Sequence, residues 1–589
     1  MILQSLYEYY NRMASLSGDN IVAPFGWEWV EIPYEIIIND RGELLNIRYT
    51  AEGEGKIKRY HKYLVPHREI RTGKKVKAYL LWDNVEYALG ANPRGRDDIE
   101  QRHADFINKI NSELSSYKIE QVESLVNFLN NDPLKQIENN KEFTETWNKM
   151  QEENAFVVFS ISGDPGKTIC DYVPKDYNNK KLEQTDSGIC LVTGKKGSSV
   201  ALTHSPIKGV RGTNTTGGAV ISFNLSAFNS YGKEQNMNAP VSNEAAFAYT
   251  TALNMLLSKD SSNKTSVGDS TIIFWSSKKE SFLNLEDKLP WFFADAPKDD
   301  PDRGVEAVKA LYQAVYTGKP PYDEGNQFYV LCLSPNAARI SVRLWKEGNV
   351  YDFAEKIKMH FDDFAIIHNK DDIEFMCLNK ILRAVAPEYK LENVPPNLAG
   401  SVVASVFEGS PYPLTLLHQS IRRIRAERHV NRARAAIIKS YFNRFNRVNN
   451  LSVKEITMAL DKSNTNTGYL LGRLFSLLEQ VQNASNNYKE PNAGIRDRFY
   501  GAFSSAPVSV LPILEKLYGH HLGKLENSKV FFESIKTEII DKLNADKIPA
   551  HLTMEQQALF AVGYYHQRQE FFKGKSKEEK TEDSNINEN

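Results

Sequence analysis

TGYLLGRLFSLLEQV, residues 467–481, decides the architecture of the last third of the chain. Leu470, Leu471, Leu474, Phe475, Leu478 and Val481 recur at helical spacing, so this segment presents an apolar stripe that must face a core. Tyr412–Arg447, Val453–Leu460, Ile495–Ala502, Val508–Leu522, Phe532–Leu543 and Met554–Phe572 carry the same periodicity, and strand signals stop after about residue 400. Ser452 and Thr553 lie three residues before Glu455 and Gln556, the spacing of a capping box at a helix start. Residues 401–572 are therefore expected as an all-α bundle. Residues 573–589 lack large aromatics and are rich in charge, the composition of a disordered tail.

Upstream the pattern is mixed. Residues 1–95 open with a helix, MILQSLYEYYNRMA, followed by a strand at Ile32–Ile38. Asn39-Asp40-Arg41-Gly42 then predicts a hairpin turn into Leu44–Tyr49. Residues 96–150 read as a polar helical insertion. Residues 151–400 alternate strands (Ala155–Ile161, Ala219–Phe223, Thr271–Trp275, Phe328–Leu333) with helices (Ala245–Leu257, Val305–Tyr316), a central α/β domain. The fold class is α+β: mixed N-terminal and central α/β regions, then a C-terminal all-α helical bundle.

At 589 residues the chain allows about two to four domains. With 41 % apolar and 25 % charged residues it is an ordinary globular composition rather than a disordered one. Cys170, Cys190, Cys332 and Cys377 form no CxxC pair, which argues against a disulfide framework and a four-cysteine zinc site and suits a reducing compartment. The N-terminus has no basic leader, and no 18-residue apolar run without charge occurs, so a cytoplasmic protein with no membrane partner is expected. There is no HExxH and no GxSxG; neither a metal, a cofactor nor a catalytic residue is expected. Gly163–Thr168 resembles the end of a phosphate-binding P-loop. However, Ile161 stands where its first glycine is needed, and Pro165 lacks an N–H, so an ordinary Pro-Gly turn competes with it.

The charge is zoned. The net charge is -1, yet residues 56–77 hold nine Lys or Arg against Glu69 alone, a local +8 interleaved with Tyr60, His61, Tyr63 and His67. Residues 421–447 repeat the imbalance: nine cations, including Arg422, Arg423, Arg425, Arg428, Arg432 and Arg434, against Glu427 alone. Arginine suits bidentate phosphate contact, while a solvated face or a salt-bridge hub would use the same residues. The loop Lys208–Gly218 adds Lys208, Arg211, Asn214 and Thr215 among glycines, either a backbone-binding loop or a flexible connection.

Taken in order, several stretches resemble the large subunit of the type I-C CRISPR Cascade effector complex, an RNA-guided antiviral assembly. They are MILQSLYEYYNRM; Arg71-Thr72-Gly73 with Leu80-Leu81-Trp82-Asp83-Asn84 and Tyr87-Ala88-Leu89-Gly90; and residues 219–257 and 328–345. In the C-terminal part they are RARAAIIKSYFNR, GYLLGRLFSLLEQVQ, IRDRFYGAFSSAP and HLTMEQQALFAVGYYHQRQEFF. The resemblance implies a prokaryotic, non-enzymatic subunit beside the guide-RNA handle, the subunit holding that handle, and the backbone subunits. It implies recognition of the PAM duplex, help in unwinding the target double-stranded DNA, support of the displaced strand, and recruitment of a separate helicase–nuclease. On that basis Arg71, Thr72, Lys74, Lys75, Lys77 and Asn84 are expected at the PAM duplex, although Asn84 taken by itself reads more readily as a helix cap after Trp82. The arginines between 422 and 434 are expected on the displaced strand. The family also makes small helical subunits by internal initiation; a start at Met458 leaves 589 − 458 + 1 = 132 residues. A guide-RNA scaffold that does not read DNA, or a nucleotide-binding enzyme using Gly163–Thr168, are the alternatives.

Overall fold

The structure is a computed structural model that describes residues 1–16, 22–53, 59–68, 71, 76–175, 177, 187–268, 270–278, 285–294, 302–317, 326–369, 372–489, 493–543 and 548–586. The chain divides into two compact units, residues 1–207 with 219–255, and residues 208–218 with 256–589. The 151–400 stretch thus contributes to both.

The first unit begins with α1 (Ile2–Ser15), β1 (Trp27–Glu31), β2 (Tyr34–Ile38), β3 (Leu44–Tyr49), β4 (Ala51–Glu52), β5 (Arg59–Tyr60), β6 (Lys62–Pro66) and β7 (Trp82–Asn84). It continues with α2 (Val85–Ala88), α3 (Ile99–Leu114), α4 (Glu120–Asn130), α5 (Pro133–Glu138), α6 (Thr144–Glu153), β8 (Phe156–Ile161), β9 (Ser187–Gly188), β10 (Ser198–Ser199) and α7 (Asn243–Leu256). Its main sheet has the order β3-β2-β8-β7; β8 runs parallel to β2 and the outer pairs are antiparallel. β2 is apolar because it is central, with Tyr34, Ile36 and Ile38 all buried. The expected hairpin forms. Asn39 Oδ1 accepts from the N–H groups of Arg41 (3.0 Å) and Glu43 (2.9 Å). Gly42 is required twice over: its φ is +82°, and a Cβ there would lie 2.7 Å from backbone atoms of Ser124 and Phe128 on α4. Phe106 of α3 and Phe128 of α4 pack on Phe159 of β8, with ring centroids 6.4 and 6.2 Å away.

The second unit holds β11 (Lys264–Val267), β12 (Ser270–Ser276), α8 (Leu285–Phe293), α9 (Arg303–Thr317), β13 (Gln327–Asn336) and β14 (Arg339–Asn349). These four strands form an antiparallel meander. Helices follow: α10 (Val350–Phe364), α11 (Leu378–Val385), α12 (Leu398–Glu408), α13 (Leu414–Glu427), α14 (Arg432–Val448), α15 (Thr467–Ser485), α16 (Ile495–Phe503), α17 (Pro507–Leu522), α18 (Lys529–Ile540) and α19 (Met554–Ile586). The α+β class and the helical C-terminal run are as expected. The Thr553 box also forms, with reciprocal bonds to Gln556 of 3.0 and 3.2 Å.

Three local expectations are corrected. Residues 219–223 form no strand; they follow the Lys208–Gly218 loop irregularly. The stretch Tyr412–Arg447 is two helices, not one, because Arg428 adopts a left-handed φ of 52° that ends α13. Val453–Leu460 is not helical, and Ser452 caps nothing. Asn443 of α14 holds that segment extended, accepting from Ile456 N–H and donating to Ile456 C=O, both at 2.8 Å. The Met458 carbonyl accepts from Ile367 N–H at 2.8 Å. Side-chain bonds to the backbone have displaced the helical ladder here.

α15 lies in the middle of the bundle, with buried residues all round from Gly468 to Glu479. Gly472 meets the Phe560 carbonyl and Gly563 meets the Tyr469 carbonyl so closely that a Cβ at either would overlap that oxygen. Beside this interlock the buried Arg473 donates from Nε to Gln567 Oε1 (3.0 Å) and from Nη1 to Glu538 Oε1 (3.2 Å). Gly472→Ala is therefore expected to destabilise the bundle by about 3 kcal/mol or more. Gly519→Ala on α17, where a Cβ meets nothing, is expected to be neutral or to stabilise by about 0.5–1 kcal/mol. Chemical denaturation followed by circular dichroism checks both, and equal stabilities would refute the interlock.

Candidate nucleic-acid interface

Of the cations between 56 and 77, Lys56, Lys58, Lys74 and Lys75 lie outside the described residues, as does Thr72. Among the described ones, Arg68 and Arg71 are engaged with the protein itself, whereas Lys62 is exposed. Arg68 donates from Nε to Glu28 Oε1 (2.8 Å) and lies 5.0 Å from the Trp82 ring centre. Arg71 is sandwiched between the rings of Tyr79 (3.8 Å) and Tyr87 (4.0 Å). Its Nη2 bonds Asp83, and its Nε donates to the Lys77 carbonyl at 2.7 Å. That last bond joins residue 71 to residue 77. Asp83 is fully buried and also accepts from the N–H groups of Tyr79 and Asn84, each at 2.8 Å. Burial pushes its carboxyl up to about 6, opposed by the Arg71 charge and those N–H donors. From α3, Asp105 accepts from Ala78 N–H (2.7 Å) and Lys109 donates to Ala78 C=O (2.8 Å). Asn84 is the N-cap of α2, its Oδ1 accepting from Tyr87 N–H at 3.3 Å. Arg71 and Asn84 thus serve the fold of this unit. Lys77 is half-buried.

The Lys208–Gly218 loop packs on its own unit. Arg211 donates from Nη1 to the Gly268 carbonyl (3.2 Å), and its N–H bonds Thr271 Oγ1 (3.0 Å). Gly209 sits against the Leu257 carbonyl and Gly212 against Pro335, so these glycines serve close packing. Lys208, Asn214 and Thr215 are exposed. In the P-loop-like stretch, Lys167 pairs with Asp164 at 2.9 Å and the Thr168 hydroxyl bonds Asp171 at 2.9 Å. The turn leads into four residues of 3₁₀ helix, Ile169–Tyr172, rather than an α-helix whose N-terminus could face phosphate.

The arginine-rich region splits in two. On α14 Arg432, Arg434 and Arg444 point inward. Arg434 is fully buried, donating to Glu427 (2.5 Å), the Ala384 carbonyl (2.8 Å) and the His429 carbonyl (3.0 Å). Arg432, 8 % exposed, grips the carbonyls of Ile373 (2.5 Å) and Glu374 (2.6 Å). Arg444 pairs with the buried Asp363 at 2.6 Å. On α13 and its C-cap the reverse holds. Arg422, Arg425 and Arg428 are exposed and have no carboxylate partner among the described residues, while the half-buried Arg423 lies 3.8 Å from Glu427. The basic surface is thus formed by three exposed arginines, with α14 as the salt-bridge hub beneath.

A model of the CRISPR-associated protein (Cas_Csd1) family matches residues 6–572. The chain belongs to this family. No curated protein matches it. The Cas_Csd1 match takes in the basic segment 56–77, the 208–218 loop and both arginine-rich helices. Among the described residues of this family member, no helix is long and apolar enough to cross a membrane. Nor, among those residues, is any group of three or more His, Cys, Asp or Glu side chains placed to hold a metal. Charge counting found both basic regions but missed Tyr79, Tyr87, Asp105 and Lys109, which share no local pattern with the residues they hold.

Arg434→Ala is expected to destabilise the second unit by about 3–5 kcal/mol, because Glu427 and two carbonyls lose their donor. Arg422→Ala and Arg425→Ala are expected to cost under about 0.5 kcal/mol. Urea unfolding of the three variants checks this. Arg71→Lys keeps the charge but loses the ring sandwich and the forked donors. It is expected to destabilise the first unit by about 1–3 kcal/mol, and an unchanged thermal melt would show that the Arg71 contacts to Asp83, Tyr79 and Tyr87 do not hold this unit.

Proposed function

We propose that this chain is the large, non-catalytic subunit of a type I-C RNA-guided surveillance complex. In this reading it recognises the PAM duplex, assists unwinding, holds the displaced strand and helps recruit the helicase–nuclease. It sits with the guide-RNA handle and its holding subunit, the backbone subunits and small helical subunits. Base pairing between guide and target carries most of the sequence information, so the protein needs to read only a short duplex motif. The basic segment 56–77 is suited to that task by its charge, nine Lys or Arg against one acid.

The observation that carries the reading is the segregation of charge. In a chain of net charge -1, Arg422, Arg425 and Arg428 stand exposed without a carboxylate partner among the described residues, while Arg434 and Arg444 on α14 are paired inside with Glu427 and Asp363. Like charges this close repel, and a polyanion removes that cost. The small-subunit reading is supported by Met458: it lies in the extended segment before α15, so a start there keeps α15–α19 and their glycine interlock. The pairing of Lys167 with Asp164 weighs against a nucleotide at Gly163–Thr168.

The test is duplex binding by the guide-loaded complex, with and without this chain, on DNA randomised beside the target. Binding is expected to depend on those base pairs only when the chain is present. Unchanged discrimination without it would make the chain a guide-RNA scaffold. Charge reversal at Arg422, Arg425 and Arg428 together is expected to flatten the log–log salt slope by about 2–3. An unchanged slope, measured between low and physiological salt, would remove these arginines from the strand path.

A further inference from the structure

A cleft of about 470 Å³ opens in the second unit between α11, the turn after α13, the start of α14 and α19. Its volume falls in the range of about 300–1,000 Å³ usual for small-ligand sites. Its walls carry Lys380, Arg383, Arg432 and Arg568, with Asp372 the one acid among the described residues that line it. Lys380, Arg432 and Arg568 have no carboxylate partner within 4.0 Å among the described residues. Arg432 is the decisive group. Although more than nine-tenths buried, it spends Nη1 and Nη2 on two carbonyls and leaves Nε without a partner. A buried cationic donor with an unmet N–H is costly unless an acceptor arrives. The N-terminus of α14, a 17-residue helix, opens on the same space and adds its positive dipole end. His429, at the rim, is held below the usual histidine range by burial and by the charges of Arg568, Arg434 and Arg496, which reports the same positive field.

Two large rings flank this charge and remain open to solvent: Tyr389 is 42 % and Phe572 46 % exposed. Each has an arginine near its face, Arg434 at 5.2 Å and Arg568 at 5.8 Å from the ring centre. An exposed ring beside a cation without a carboxylate partner among the described residues, as Phe572 is beside Arg568, is the composition of a site for a stacked base and its phosphate. Arg428, exposed at the end of α13, immediately precedes His429 at the rim, so the exposed arginines lead along the chain to the cleft. A connected strand uses both features, and a free nucleotide only one.

We propose that this cleft binds one nucleotide of a single-stranded nucleic acid, its phosphate on Arg432, Arg568 and Lys380 and its base against Tyr389 or Phe572. The inference rests on the displaced-strand reading above and gives it a specific seat.

The test uses the purified full chain and a fluorescein-labelled oligothymidylate, with thymidine monophosphate, inorganic pyrophosphate and oligoglutamate as competitors. Lys380→Glu with Arg568→Glu is expected to weaken oligomer binding about tenfold or more, and Phe572→Ala several-fold. The lysine and arginine are half-buried and unpaired, so folding is expected to survive; Lys380→Gln with Arg568→Gln, matched to wild type by thermal melt, guards against misfolding. An oligomer carrying 5-iodouracil is expected to cross-link near Tyr389 or Phe572. Wild-type binding by both double variants, with cross-links elsewhere, overturns the proposal. Monophosphate or pyrophosphate competing as well as the oligomer overturns the strand assignment in favour of a free anion, and preferential displacement by oligoglutamate overturns it in favour of an acidic protein partner. If the double variant binds normally while the complex still discriminates the flanking base pairs, the cleft alone is rejected. If wild type binds neither oligomer nor flanking duplex, the broader reading fails with it.

Discussion

Arg444 and Asp363, both almost completely buried and 2.6 Å apart, fix α14 against α10, and the meaning of the surrounding charge follows from that pair. Neither ion tolerates burial alone, so each demands the other and further donors or acceptors. Arg447 supplies a second guanidinium to Asp363 at 3.0 Å and also reaches Glu455, while Lys439 donates to the Asp363 carbonyl at 2.9 Å. With that face of α14 turned inward, Arg432 and Arg434 are drawn in too and must find carbonyls or Glu427. α13, separated by the left-handed Arg428, is free to turn its arginines outward. One continuous helix through 412–447 would have kept all these cations on a single rotating pattern.

The same principle orders the N-terminal basic segment. Arg71 is clamped by two tyrosines, Asp83 and the Lys77 carbonyl. Arg71 therefore belongs to the scaffold. In both basic regions some arginines are spent on the fold itself, Arg71 in the first unit and Arg434 and Arg444 in the second.

Much of the fold was legible in the residue pattern. The apolar period of Thr467–Val481, the alternation around Ile36 and the turn chemistry of Asn39–Gly42 each reflect forces acting over a few residues. The resemblance, carried by motifs spread along the chain, pointed to a CRISPR-associated protein, and the Cas_Csd1 match over residues 6–572 shows that much. The misreadings have local causes as well. Ser452 and Glu455 have capping spacing, yet Asn443, which is distant in sequence, supplies stronger backbone bonds to Ile456 and the helix never starts. The 219–223 run has strand composition but finds no neighbouring strand to complete its ladder. Of the candidate binding residues, Asn84 was legible as a cap, whereas nothing near Arg71 signalled its enclosure.

By itself the sequence determined the helical and strand character of most segments, the zoning of positive charge and the family, because these are properties of neighbours along the chain. Only the tertiary structure decided which arginines are available to a partner, since that depends on carbonyls and carboxylates dozens of residues away. Arg434 and Arg422 are twelve residues apart and chemically identical; one is sealed beneath Glu427 and Ala384, and the other faces water. The cleft is a tertiary product for the same reason: Lys380, Arg432 and Arg568 come from three separate helices, and their charges add only where packing brings them to one wall.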